Sequence, residues 1–206
     1  GFICLTFDRR GHARDKVHRD TVTREDNLND MLAAYDLLTG HPAVDANSVV
    51  VVGSSYGGYL ATILSALRPV RWMALRAPAL YKDEDWLVSK QHLDRQEIAR
   101  YRALKLEPGS NRALAASAIF EGDVLLVESE MDHIVPHPVI ENYRAAFLRT
   151  RSMTYRVIRG ADHALARPEW SEAYTTMLVN WMSEMLGHAK EGAPPNKGDK
   201  SRPAPA

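Results

Sequence analysis

Three short apolar runs, Phe2 to Phe7, Val49 to Val52 and Val124 to Val127, are rich in β-branched or bulky residues and too short for helices, so they predict buried parallel strands. Two further strands are expected at Val70 to Leu75 and at Met153 to Ile158, the second alternating apolar and polar as a half-covered edge would. Elsewhere the period changes to that of a helix. From Leu28 the apolar positions Met31, Leu32, Tyr35 and Leu38 recur at helical spacing, with Thr23 placed to cap the start and Gly40 and Pro42 to stop it. Pro138 opens a second helix with Val139, Ile140, Tyr143 and Phe147 on one face. Pro168 opens a third, carrying Trp170, Tyr174, Met177, Leu178, Trp181 and Met185. Strands alternating with helices make the expected class α/β: a three-layer αβα sandwich on a mostly parallel sheet, with right-handed crossovers.

Residues 1–187 read as one domain. Within it Tyr81 to Glu107 is helix-permissive and densely charged with both signs, which predicts a small helical cap. Residues 188–206 are rich in Pro, Gly, Lys and Ala without apolar periodicity, so a disordered tail is expected there. The chain has 206 residues, 45% hydrophobic and 25% charged. A chain of that length buries roughly 70% of its unfolded surface and needs no metal or disulfide staple. Cys4 is the one cysteine. It lies in the run Phe2-Ile3-Cys4-Leu5, where a small buried hydrophobe in a reducing, cytoplasmic setting is expected. Lys and Arg number 26 against 26 Asp and Glu, a balance that gives no reason to expect nucleic acid or an anionic membrane as partner. No apolar run approaches the roughly 20 residues of a bilayer span, and the opening segment lacks the layout of a signal peptide.

The chemistry begins where Val49 to Val52 runs into Gly53-Ser54-Ser55-Tyr56-Gly57-Gly58 and then into the helix-like Tyr59 to Leu64. Strand, G-x-S-x-G, helix describes a tight turn that lifts one hydroxyl above a sheet edge, with Gly53 and Gly57 letting strand and helix approach. A bare G-x-S-x-G occurs by chance in about one chain in fifteen of this length, so context must carry the reading. Context does: Ser55 is followed by Asp132 after the strand ending at Val127, and by His163 after the strand ending at Ile158. That order, each residue at a strand's carboxyl end, predicts a nucleophile, an orienting acid and a general base. Glu128 and Glu130 are alternatives for the acid, and Asp162, adjacent to His163, should point away. His12, His133 and His137 form no metal-ligand spacing, so no metal is expected.

The motifs Gly53 to Tyr59, Asp132-His133-Ile134-Val135-Pro136 and Asp162-His163-Ala164-Leu165 resemble those of the α/β-hydrolase superfamily. The Ser-Tyr-Gly-Gly-Tyr elbow is similar to that of its prolyl-oligopeptidase and dienelactone-hydrolase-like members. Phe7-Asp8-Arg9-Arg10-Gly11-His12-Ala13 resembles the D-x-R-G-H-G segment after the fourth strand, with Ala13 for the second glycine. The resemblance implies a serine hydrolase of small carboxylic esters, needing no cofactor. The alternatives are a small peptidase of prolyl-oligopeptidase type and a weakly active hydrolase-fold remnant that serves as a binding module. It implies an oxyanion hole with one N–H from Tyr56 and another from a loop that would precede Gly1, together with the first three strands.

Two structural expectations follow. Phe2 to Phe7 should slide over and pair directly with Val49 to Val52, bringing an N–H of Arg9 or Arg10 to the hole; the alternative is a gap filled by a preceding segment or by a homodimer partner through the incomplete sheet. The cap should cover the elbow, with Leu80, Tyr81, Trp86, Ile134 and Leu165 lining a pocket for short or aromatic acyl groups.

Overall fold

Apolar runs with no polar side chain to present on either face belong in a sheet covered on both sides. In the computed structural model, which describes residues 2–191, the strands are β1 (Val50–Ser54), β2 (Trp72–Arg76), β3 (Asp123–Ser129) and β4 (Ser152–Ile158); β2 and β3 are buried throughout, and β4 is the half-covered edge that its alternation predicts. They form one parallel sheet in the order β1-β2-β3-β4, with Val52 opposite Ala74, Ala74 opposite Leu125 and Leu125 opposite Thr154. Because every strand runs the same way, the carboxyl ends at Ser54, Arg76, Ser129 and Ile158 share one edge.

The helices are α1 (Arg24–Thr39), α2 (Tyr56–Ser65), α3 (Arg95–Arg102), α4 (Arg112–Ile119), α5 (His137–Ala146) and α6 (Pro168–Glu191). Successive strand residues point to opposite faces, and the core divides accordingly. Met73, Leu75, Val124 and Leu126 join Leu60, Leu114, Ile140 and Tyr143 from α2, α4 and α5, with Leu28 and Tyr35 of α1 at the margin. Trp72, Ala74, Leu125, Val127 and Ile158 join Trp181 and Met185 of α6 on the other face. The layers are those of an αβα sandwich. At the start of α1, the Thr23 hydroxyl accepts from the Asp26 N–H while the Asp26 carboxylate accepts from the Thr23 N–H, a reciprocal cap.

The opening segment departs from expectation. Phe2 to Phe7 forms no strand, and among the described residues β1 pairs with β2 alone. A cleft of about 140 Å³ separates Leu5 and Phe7 from Val49 to Val52, and Val52 is 47% exposed. The physical reason lies downstream. Arg10 donates its backbone N–H and its Nε to the two oxygens of Asp30, at 2.8 and 2.7 Å, and its guanidinium reaches the Asp26 carboxylate. The segment is therefore tied to α1 instead of being free to slide onto β1. Cys4, expected to be buried, is exposed with it.

The insert Tyr81 to Glu107 is less helical than its composition suggests. It holds a single-turn helix at Lys90–His92 and the eight residues of α3, capped by the Asp94 carboxylate on the N–H groups of Gln96 and Glu97. At the other end α6 continues to Glu191, past the expected boundary at 187, and the rest of the expected tail, 192–206, lies outside the described residues. Among the described residues no helix is long and apolar enough to cross a membrane.

The two faces of α6 make the sandwich testable. Trp181 is 3% exposed against the sheet and Val179 is 54% exposed. Trp181→Ala should cost about 3–5 kcal/mol in urea unfolding, and Val179→Ala less than about 1.

Candidate active site

The turn from β1 into α2 is built by exclusion of side chains. A Cβ on Gly53 would lie 2.7 Å from both the Gly57 carbonyl oxygen and the Gly58 Cα, and one on Gly58 would lie 3.0 Å from the Pro78 Cβ. Only bare backbone lets α2 approach β1 and the loop after β2 this closely. Gly57, expected to share this duty, does not: its Cβ would meet nothing closer than the Arg9 Nη1 at 3.5 Å. Gly58 takes its place. Ser55 pivots the turn at φ 52°, ψ −119°, a left-handed conformation that a residue with a side chain adopts only under constraint. Its backbone is held at both ends, the N–H donating to the Arg76 carbonyl at 2.9 Å and the carbonyl accepting from Ala79 at 3.0 Å.

Three loops at the carboxyl edge bring the expected residues together. His163 Nε2 lies 2.9 Å from Ser55 Oγ, and His163 Nδ1 lies 2.6 Å from Asp132 Oδ2. The other Asp132 oxygen accepts from the N–H groups of Ile134 and Val135, each at 2.8 Å. Burial pushes the Asp132 carboxyl up, but the His163 hydrogen bond, those two N–H groups and the His163 charge outweigh it and hold its pKa below the usual 3.8. The loops are stitched to one another: Met131 N–H donates to the Ala161 carbonyl and Glu130 N–H to the Ile158 carbonyl. Asp162 points away, its carboxylate accepting from Ala166 N–H. Glu128 is engaged elsewhere, accepting from His137 and from the Tyr155 hydroxyl.

Other expected residues fall differently. Leu80, Tyr81 and Trp86 are 0%, 4% and 5% exposed and belong to the core, the Tyr81 ring packing edge-on against Tyr56 and Tyr59 instead of lining an open pocket. Ile134 is exposed on the loop after Asp132, and Leu165, at φ 53°, packs toward α6. The Arg10 N–H is committed to Asp30, and the slide of Phe2 to Phe7 that was to bring it to an oxyanion site does not occur. Arg9 reaches the elbow by its side chain, with its guanidinium carbon 4.9 Å from the centre of the Tyr56 ring. Among the described residues no group of three or more His, Cys, Asp or Glu side chains is arranged to hold a metal.

One contributor was not expected. Arg76, 9% exposed at the end of β2, accepts the Ser55 N–H on its carbonyl and donates its Nη1 to the His163 carbonyl at 3.0 Å. It brackets serine and histidine from below. Its signal in the sequence is a lone charge ending the apolar run Trp72-Met73-Ala74-Leu75, one residue beyond the expected strand.

A Ser-His-Asp relay at the carboxyl edge of a parallel sheet, with the serine on a strained strand-to-helix turn, defines the α/β-hydrolase fold. Residues 1–189 match the prolyl oligopeptidase family, and the chain belongs to it, a family of serine hydrolases. The sheet superposes on an acylaminoacyl peptidase of Pyrococcus horikoshii with a TM-score of 0.61 at 12% identity, covering 85% of this chain and 31% of that one. This chain thus spans less than a third of that peptidase. It also resembles the ferulic acid-bound Est1E of Butyrivibrio proteoclasticus, at TM-score 0.60, 18% identity and coverages of 87% and 76%. A structure from work on the metagenome-derived lipolytic enzymes LipS and LipT gives 0.64, 14%, 85% and 80%. No curated protein matches the sequence.

The glycine contacts predict an asymmetry. Gly53→Ala should lose at least about 2 kcal/mol of stability, since backbone must shift to admit the methyl group. Gly57→Ala should be neutral or stabilising in the same denaturant titration. The depressed carboxyl of Asp132 gives a pH signature. A lowered folded-state pKa contributes stability that is fully present above 3.8 and is lost as pH falls through the folded value. The stability gap between wild type and Asp132→Asn should therefore hold down to about pH 4 and narrow as the pH falls further.

Proposed function

We propose that the protein is a serine esterase acting on small carboxylic esters through an acyl-enzyme. The observation that carries this reading is the continuous relay Ser55 Oγ to His163 to Asp132 Oδ2, at 2.9 and 2.6 Å, centred on a serine at positive φ. In this reading the His163 Nδ1–H donates to Asp132, which leaves Nε2 as the acceptor facing Ser55. Attack of Ser55 Oγ on the acyl carbon passes its proton to Nε2, and the imidazolium is stabilised by the Asp132 carboxylate. The Tyr56 N–H, first in α2 and without an intrahelical acceptor, donates to the developing oxyanion. His163 then protonates the departing alcohol. Water attacks the acyl-enzyme with His163 as base, releasing the acid and restoring Ser55.

Short or aromatic acyl groups suit a chain whose insert between β2 and α4 is small, a single-turn helix at Lys90–His92 and the eight residues of α3. The ferulic acid bound to the structurally similar Est1E belongs to the aromatic class. Membership of the prolyl oligopeptidase family favours one sibling reading, cleavage of short peptides by the same residues.

On p-nitrophenyl acetate, Ser55→Ala and His163→Ala should each lower kcat/KM by at least about 10³, and the double variant should add little, because the residues act as a unit. Additive losses, or full activity in either variant, contradict the mechanism. Faster turnover of p-nitroanilides of short peptides than of acetate esters would select the peptidase sibling.

A further inference from the structure

The ring of Tyr56, the residue after Ser55, is 5% exposed and is covered by cations. The Arg9 guanidinium carbon lies 4.9 Å and Lys90 Nζ 4.7 Å from its centre, and the His12 ring stacks on it at 6.0 Å. Cation–π contact explains part of this, but an aromatic face does not neutralise two charges. Among the described residues neither Arg9 nor Lys90 has an acid within ion-pair distance. Asp30 and Asp26 are used by Arg10 and Asp15 by the Gly11 N–H and His18, while Asp8, beside Arg9 in the chain, is exposed and pairs with neither cation. The Lys90 ammonium is pulled below its usual range by burial first and then by the charges of Arg9, Arg102 and Arg19.

Lys90 borders open space. A cleft of about 280 Å³ is lined by Lys90, Arg19, Lys16, His12 and Gln91, and Arg9 Nη1 lies 3.5 Å from where a Cβ on Gly57 would project. Unneutralised cations held against the first turn of α2 are placed to take the counter-charge from a substrate seated on Ser55.

We propose that Arg9 and Lys90 form a subsite for a carboxylate carried on the acyl half of the substrate, making half-esters of short dicarboxylic acids the preferred class. The inference rests on Ser55 being the nucleophile, since that fixes where the acyl group lies. The planar Arg9 guanidinium suits the two oxygens of a carboxylate, and Lys90 adds a second charge from the insert, so the site joins the loop after Phe7 to the segment before α3.

The test separates binding from turnover. Titration of Ser55→Ala with monomethyl glutarate and with dimethyl glutarate, followed by calorimetry, should give the mono-anion at least about a tenfold lower Kd. That preference should vanish when Arg9→Gln and Lys90→Gln are added to Ser55→Ala, and should persist when Lys90→Arg is added instead. Equal affinity for the two ligands, or a preference that survives loss of both cations, overturns the subsite. Wild-type hydrolysis of neutral p-nitrophenyl acetate reports on the esterase reading alone. A protein inert to that ester but selective for the mono-anion loses the reaction and keeps the subsite, whereas an active esterase without selectivity does the reverse.

Discussion

The approach of helix α2 to strand β1 is the constraint on which the site depends. Gly53 and Gly58 allow backbone to touch backbone where any side chain would hold the elements apart. Ser55 lies between them and absorbs the geometric cost in its own dihedrals, at φ 52°. The strain is held by the surroundings. Ser55 N–H is bound to Arg76, its carbonyl is bound to Ala79, and Tyr59 N–H returns to the same carbonyl. Remove the close approach and Ser55 could relax to an ordinary helical start, with its hydroxyl no longer aimed at His163.

Parallel pairing does the rest of the positioning. Four strands running one way place three loops within reach, and the pairings of β1 with β2, β2 with β3 and β3 with β4 fix their heights along the edge. Arg76 then joins two of them, reaching from the end of the second strand to the backbone of the serine and of the histidine. A buried guanidinium here is costly unless its donors are used, and one serves the His163 carbonyl directly. Burial pulls its pKa below the usual range, and the nearby Tyr174, Asp132 and Asp162 offset only part of that. The relay thus combines a carboxylate secured by three hydrogen bonds, an imidazole between two partners and a cation beneath the loop.

Much of this was legible in the sequence. Strands β1 to β4, the Thr23 cap, the helices opened by Pro138 and Pro168 and the order Ser55, Asp132, His163 follow from local period and from motifs with a strict steric cause. What local pattern could not supply was tertiary competition. Phe2 to Phe7 has the apolar content of a strand, but an ion pair three residues later binds it to α1. Leu80, Tyr81 and Trp86 have the side chains of a pocket wall, yet the same hydrophobicity draws them into the core when the insert has only one short helix to shelter them. Gly57 fits the motif without being required by it, because steric need depends on what lies opposite, and that is Gly58's neighbour Pro78. Arg76 and Lys90 belonged to no motif, and Arg9, though it lies in the Asp8 to His12 segment, showed its side-chain contact with Tyr56 only in the fold.

The central claim is that one strained serine, Ser55, is the activated nucleophile. Labelling the folded protein with a fluorophosphonate and locating the adduct by peptide mass spectrometry tests it most directly. The account predicts modification of Ser55 alone, abolished by urea and by His163→Ala. Modification at Ser54, or labelling of Ser55 that persists without His163, would contradict it.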